Sequence, residues 1–221
     1  MDKGSRHRDA LRLLYILVAG SSPIPVGNAS GAAAIFKGEA RLYALDFWMR
    51  NPDYLAEELL NLFEEKRDQR HLDAASEIFR AEEPAIRRFP MIRYRFGAYE
   101  RLDDTLAILR SRKLIAIIGK KAGAKVLETD FLIMPSAFAL AVQIVNEFAA
   151  LTWYLSRATL VAELAGDRGS KALKEHQHKQ IEYHETNLGG TIPPIALRVH
   201  TRLQRLITMS VRAGEEHETN Q

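Results

Sequence analysis

Residues 97–149 read GAYERLDDTLAILRSRKLIAIIGKKAGAKVLETDFLIMPSAFALAVQIVNEFA, and this stretch decides the fold of the chain. Its first part, YERLDDTLAILRSRKL, has the apolar spacing of an amphipathic helix. One stripe of that helix consists of Leu102, Leu106, Leu109 and Lys113. The apolar run 114–118, the turn GKKAGAK and the alternating run VLETDFLIM follow it. Together they predict a β-hairpin with one face on the core and the other in water.

A long apolar helix is predicted after the hairpin, from Ala137 to about Ala165, with Ser136 placed as its N-cap. It contains few charged residues, Glu147 among them. Because a helix that is apolar nearly all round must be buried somewhere, we interpret it as a core or homo-oligomer helix at 137–165. Its polar positions, such as Gln143, argue against a membrane span, so we expect no membrane partner.

The order helix, hairpin, helix is that of the second half of a winged helix. We therefore predict a mostly α fold with a small β-hairpin, in which a winged-helix-like domain is followed by long C-terminal helices. The predicted division places a helical domain at 1–165, with the winged-helix-like unit at 97–149 inside it. Residues 166–221 are predicted to form a C-terminal helical extension. Near the N-terminus, helices are predicted from Asp9 to Ala19 and from Ala32 to about Arg50.

The composition is that of an ordinary globular chain of 221 residues, with 47% hydrophobic and 27% charged residues. Cysteine is absent, which excludes disulfides, zinc–thiolate sites and cysteine nucleophiles. This usage fits a reducing compartment, and we expect a cytoplasmic protein. The basic and then apolar N-terminal stretch is periodic and contains Arg12, so we interpret it as a first core helix rather than a signal peptide.

Charge is distributed unevenly along the chain. Residues 53–83 carry ten acidic and four basic side chains, whereas residues 87–125 carry eleven basic and three acidic ones. Such asymmetry indicates either an anionic partner or two faces that attract one another. The candidate residues for binding a partner or a nucleic acid are Arg87, Arg88, Arg93, Arg95, Arg110, Arg112, Lys120, Lys121 and Lys125.

A last amphipathic helix is predicted from about Ile195 to Arg212. Its apolar stripe includes Val199 and Leu203, and a separate face carries arginines. These candidate partner-facing residues are Arg198, Arg202 and Arg205.

Catalytic and metal-binding patterns are absent from the sequence. It contains no GxSxG elbow, no HExxH pair and no glycine-rich phosphate loop. In the cluster His176, His178 and His184, the first two would point about 200° apart on a helix, so they cannot ligate one ion together. We expect no metal, no cofactor and no enzyme activity. The least favoured alternative is an enzyme that uses Glu147 as its acid.

A winged helix would place its second helix in the DNA major groove and its lysine-rich hairpin tip on phosphate. If the leucine stripe faces the core, however, the opposite face of that helix carries Glu100, Asp104, Ala107 and Ser111. Acidic side chains would then face the DNA backbone. A protein-binding module fits this face better, and a winged-helix DNA-binding transcriptional regulator remains the alternative.

Three segments carry a resemblance to a known family: ALRLLYILVAG, RLYALDFWMRNPDYL, and the winged half with ILRSRKLIAI and FLIMPSAFALA. In them the chain resembles the middle-component proteins of bacterial ABC-three-component conflict systems, which act beside an SMC-like ABC ATPase and an effector. The resemblance implies an adaptor or sensor subunit without its own catalysis that docks onto a larger complex in phage defence. We expect a protein partner, with nucleic acid as the alternative.

Overall fold

The computed structural model describes residues 3–86, 91–94, 97–98, 102–122, 125–166, 168–169, 172–173 and 180–219. The chain forms two compact units, and each unit is built from two separate segments. Unit 1 comprises Met1–Met49 and Ile92–Gly190, and unit 2 comprises Arg50–Met91 and Thr191–Gln221. The sequence predicted two consecutive regions, 1–165 and 166–221. In the structure, each unit instead combines two segments that are separated in the sequence.

Helices dominate the described part of the chain. They are α1 (Lys3–Ala19), α2 (Glu39–Arg50), α3 (Pro52–Lys66), α4 (Gln69–Arg80), α5 (Glu83–Ile86), α6 (Asp103–Ser111), α7 (Pro135–Glu147), α8 (Thr152–Ala165), α9 (Ile181–Glu185) and α10 (Ala196–Thr219). The strands are β1 (Ser22–Pro23), β2 (Ala34–Phe36), β3 (Met91–Tyr94), β4 (Gly97–Ala98), β5 (Ile115–Ala122), β6 (Lys125–Ile133) and β7 (Thr191–Ile192). This architecture confirms the predicted fold class, mostly α with a small β-hairpin.

Unit 1 contains a four-stranded antiparallel sheet in the order β1, β2, β6, β5. Strands β5 and β6 pair from Ile115 and Ile133 at one end to Ala122 and Lys125 at the other, which confirms the predicted hairpin. Strand β2 was not predicted, because we expected a helix from Ala32 onward. Residues 34–36 instead pair with residues 131–133 of β6, and the helix begins only at Glu39.

The core of unit 1 surrounds α1. Five consecutive residues, 13–17, are almost completely buried, because α1 packs against α6, α7 and α8. Burying each large apolar side chain of this kind contributes about 1.5–3 kcal/mol. The Tyr15 hydroxyl also donates a hydrogen bond to the Ala141 carbonyl oxygen of α7 at 3.0 Å. Helix α1 is therefore the core helix that the sequence predicts.

Helix α6 packs as predicted, with Leu102, Leu106 and Leu109 all buried at or within it. The prediction that Lys113 continues this stripe was wrong. The helix ends at Ser111, and Lys113 lies beyond it with an exposed side chain and a left-handed backbone (φ 55°). This residue turns the chain toward β5.

The single long helix predicted from Ala137 to Ala165 was wrong. Helix α7 ends at Glu147, the backbone of Phe148 is non-helical (φ −131°, ψ 84°), and a short 3₁₀ helix leads into α8. Ser136 does not cap α7 either. Met134 occupies the N-cap position, and the Ser136 hydroxyl donates to the Lys113 carbonyl oxygen at 3.3 Å. Among the described residues, no helix combines the length and apolarity that crossing a membrane requires.

Unit 2 is formed by α3, α4, α5, β7 and α10. Helix α3 begins at Pro52, and Asn51 occupies the N-cap position. Proline is tolerated at the first helical position because the backbone N–H there needs no partner within the helix. Helix α10 packs against both α3 and α4 and buries Val199, Leu203 and Leu206. The apolar stripe predicted for the last helix is thus confirmed as a core face.

Candidate functional site

The basic segment that the sequence singled out is described only in part. Arg87, Arg88 and Arg95 lie outside the described residues. For Arg93, Lys120, Lys121 and Lys125, the structure describes the backbone but not the surroundings of the side chain. Arg110 lies in the last turn of α6, Arg112 directly follows that helix, and both side chains are exposed. A binding role for these nine residues stays a prediction.

The arginines of α10 meet the acidic residues of α3. The Arg198 Nη1 and Glu57 Oε1 atoms are 2.7 Å apart, and Arg202 Nη1 is 2.9 Å from Glu57 Oε2. Arg202 also donates to Asn61 at 2.8 Å and pairs with Glu64. These contacts lie within unit 2, so one part of the acidic segment is balanced by the last helix of the chain.

Arg202 is the most engaged of the three, since its side chain is only 17% exposed. Burial disfavours its charge, but the hydrogen bond to Glu64 and the nearby Glu57 carboxylate outweigh that effect and raise the pKa of its guanidinium. Arg198 and Arg205 keep 48% and 66% of their side chains exposed. Only these two retain surface for the predicted partner role.

Asp53 lies on the same face of α3 as Glu57, Asn61 and Glu64. The sequence did not single out Asp53 as a candidate. Its Oδ2 atom accepts a hydrogen bond from the Ile195 backbone N–H at 2.9 Å, directly before α10. A carboxylate at a helix N-terminus satisfies a free N–H group and opposes the positive end of the helix dipole. The available signal was the helical spacing of Asp53, Glu57, Asn61 and Glu64 along α3.

An apolar face remains open to solvent where α7 meets α8 in unit 1. Its large side chains are Val142, Phe148 and Trp153, which are 58%, 56% and 40% exposed. The smaller exposed members of this face are Ala139, Ala149 and Ala150. We name these six residues the apolar face.

Glu147 lies beside the apolar face and not within a core, contrary to the sequence interpretation. Its side chain is exposed, and its Oε1 atom accepts a hydrogen bond from Gln143 Nε2 at 2.7 Å. An acid in open solvent lacks the enclosed surroundings that tune a catalytic carboxyl group. This geometry gives no support to the least favoured alternative, an enzyme that uses Glu147.

A cleft of about 520 Å³ opens between α6, the start of α2 and the β5–β6 hairpin. Leu106, Ile117 and Phe131 supply its apolar surface, while Glu39, Asp103 and Arg110 supply its charged groups. Burial and the neighbouring Asp103 carboxylate raise the pKa of Glu39. We name this feature the α6 cleft.

The described residues contain no group of three or more histidine or acidic side chains close enough to hold a metal ion. His176 and His178 lie outside the described residues, and the His184 side chain is exposed on α9.

Comparisons of the chain with models of known families, with curated proteins and with solved structures found no match.

Proposed function

We propose that the protein is a noncatalytic adaptor or sensor subunit that docks onto a larger protein partner through the apolar face. The observation that carries this proposal is the exposure of Val142, Phe148 and Trp153 within twelve residues of one another. Large apolar side chains occur singly on many surfaces, but several of them exposed in one short segment favour an interaction site. The only charged neighbour between Val142 and Trp153 is Glu147.

The packing of α7 and α8 explains why these side chains remain exposed. Helix α7 turns Ala137 and Ala141 toward the core, whereas Val142 on the same helix faces outward. Tyr154 on α8 stacks near Tyr15 of the core helix, whereas the neighbouring Trp153 keeps its exposure. Fully burying a large apolar side chain contributes about 1.5–3 kcal/mol, so covering the exposed part of each of these three would contribute roughly half of that. Buried aromatic side chains of this kind act as anchors at the centre of protein interfaces.

The partner we propose follows from the family that the sequence resembles. It is a larger subunit with an SMC-like ABC ATPase domain, and the biological setting is bacterial phage defence. The partner surface should be apolar and nearly uncharged, because the apolar face would leave a charged group on that surface without a counterion.

Site-specific photo-crosslinking in the native cells tests this docking. The photoreactive residue p-benzoylphenylalanine replaces Val142 in one variant, and in the control it replaces Val26, a fully exposed loop residue of the same unit. We expect a discrete cross-linked product from position 142 only, containing a larger protein with an ATPase domain. Adding the substitution Phe148→Ser should weaken that product at least about tenfold, because it removes one anchor of the interface.

Three outcomes would contradict the adaptor role. They are equal products from positions 142 and 26, a product that Phe148→Ser leaves unchanged, and a product that contains only a second copy of this chain. The last outcome would indicate a homo-oligomer formed through residues 137–165.

The second candidate is a winged-helix DNA-binding regulator. It is favoured by the sheet order, in which β6 lies between β2 and β5, and by the position of α6 directly before the hairpin. Exposed Arg110 and Arg112 could contact phosphate, but Asp103 and Asp104 are exposed on the first turn of the same helix. Gel shifts on random duplex DNA at increasing salt separate the candidates, since phosphate contacts weaken steeply with salt. Absence of binding at low salt would exclude the regulator.

A further inference from the structure

We propose that the α6 cleft binds a short zwitterionic peptide, about three residues long, with a free amino group and a free carboxylate. The ammonium group is placed at Glu39 and Asp103, the carboxylate at Arg110, and the apolar body against Ile117, with Leu106 and Phe131 behind it in the core. This inference concerns a site that shares no residue with the apolar face and is independent of the docking function.

The charged side chains of the α6 cleft form no ion pairs or hydrogen bonds with other described residues. Over the ranges that the structure describes, no ion pair or hydrogen bond engages the carboxylate of Glu39 or Asp103 or the guanidinium of Arg110. The two carboxylates are close enough for Asp103 to disfavour the charge of Glu39. A ligand ammonium group between them would remove this repulsion, because an opposite charge stabilises each carboxylate.

The spacing of the charges sets the length of the ligand. Asp103 and Arg110 are seven residues apart on α6, so they lie on nearly the same face of that helix. Seven residues of α-helix rise roughly 10 Å, so the Cα atoms of these two residues are separated by about that distance along the helix axis. An extended chain advances about 3.3–3.6 Å per residue, so three residues match this separation.

The remaining surface of the cleft suits a peptide body. Phe131 and Leu106 are buried beneath the opening, and Ile117 is 39% exposed. The volume of about 520 Å³ lies within the range of small-ligand sites. Arg110 can bind a carboxylate with two parallel hydrogen bonds, which favours a terminal carboxylate over a neutral amide.

Titration of the full chain by nuclear magnetic resonance tests this site with three probes that share one body. They are the tripeptide Ala-Leu-Ala, its C-terminal amide, which lacks the negative charge, and its N-acetyl form, which lacks the positive charge. We expect the free tripeptide to shift the amide signals of Ile117 and Thr129, both of which line the cleft. Each capped form should bind roughly tenfold more weakly, because each loses one charge-assisted interaction.

Two exposed arginines provide a matched pair of variants. Arg110→Gln should weaken binding of the free tripeptide about tenfold and leave binding of the amide unchanged. Arg112→Gln removes the same charge two residues away, outside the cleft lining, and should change neither. The double variant Glu39→Gln with Asp103→Asn should weaken the free tripeptide and the amide alike.

Several results would overturn the proposal. One is the absence of signal shifts at Ile117 and Thr129 up to about 10 mM tripeptide, a concentration that detects even millimolar affinity. Equal binding of the free tripeptide and its amide would show a site for cations alone. Equal losses from Arg110→Gln and Arg112→Gln would show unspecific attraction to positive charge. None of these outcomes bears on cross-linking through the apolar face.

Discussion

At the scale of single residues, the ion pair between Arg12 and Asp46 joins two buried charges and should matter for stability. Arg12 Nε donates to Asp46 Oδ1 at 2.7 Å, and Asp46 is completely buried on α2. A second carboxylate, Asp9, lies 2.6 Å from Arg12 Nη1. The sequence showed an arginine inside an apolar helix, but it could not show that its partner follows 34 residues later.

Asp46→Ala should lower the free energy of unfolding by about 3 kcal/mol, because it leaves the Arg12 guanidinium buried with one of its partners removed. The measurement is urea denaturation. The control is Arg80→Ala, which breaks an exposed ion pair with Glu77 and should cost less than about 1 kcal/mol. A similar decrease in the free energy of unfolding for both variants would contradict the prediction that a buried ion pair matters more than an exposed one.

Glu39 should make stability depend on pH in a direction opposite to that of most carboxylates. Burial and Asp103 raise its pKa in the folded protein above the unfolded value. The folded state therefore binds its proton more tightly, and stability is lost as pH rises through the folded pKa. Glu39→Gln should raise the melting temperature at pH 7 and leave it nearly unchanged well below the unfolded pKa of a glutamate. A destabilised variant at pH 7 would contradict this prediction.

At the scale of elements, the periodicity of apolar residues predicted those helices and strands whose formation depends on residues close in sequence. The leucine stripe of α6 and the buried positions Phe131 and Ile133 of β6 follow the period of their element, so both could be read from short windows of sequence. Strand β2 could not, because it exists through pairing with β6, about 97 residues later. Asp130 shows the same limit. It alternates along β6 with the buried Phe131, yet it is buried as well, and its carboxylate accepts a hydrogen bond from the Gly38 N–H at 2.9 Å.

The contact between α3 and α10 yields a prediction for one element pair. Arg202→Met should lower the free energy of unfolding by about 2 kcal/mol, because Glu57 loses a partner while remaining largely buried. The matched control is Arg205→Met, whose guanidinium is 3.9 Å from Glu64 and mostly exposed. It should cost less than about 1 kcal/mol in the same denaturation experiment. An equal cost for both would show that charge alone, and not burial, stabilises this contact.

At the scale of the whole molecule, the division into units was the least predictable feature. Sequence order suggested a C-terminal extension, but α10 completes a unit that begins about 140 residues earlier. Hydrogen bonds to α3 from α10 and from the residue directly before it join residues separated by 141 and 142 positions. The candidate sites also differ in how far the sequence could reveal them. The arginines of α10 were visible in the sequence, whereas the α6 cleft required Glu39 of α2 to approach α6.

This discontinuity predicts how the chain responds to truncation. Deletion of residues 191–221 removes Val199, Leu203 and Leu206 from the core of unit 2 and leaves Glu57 without its arginines. We expect the amides of α3 and α4 to exchange with deuterium at least about a hundredfold faster, since helices depend on tertiary packing more than on their own propensity. Deletion of residues 213–221 alone keeps those three side chains and should leave exchange unchanged. If α3 stayed protected after the longer deletion, residues 50–91 would fold without α10, and the C-terminal segment would be an extension after all.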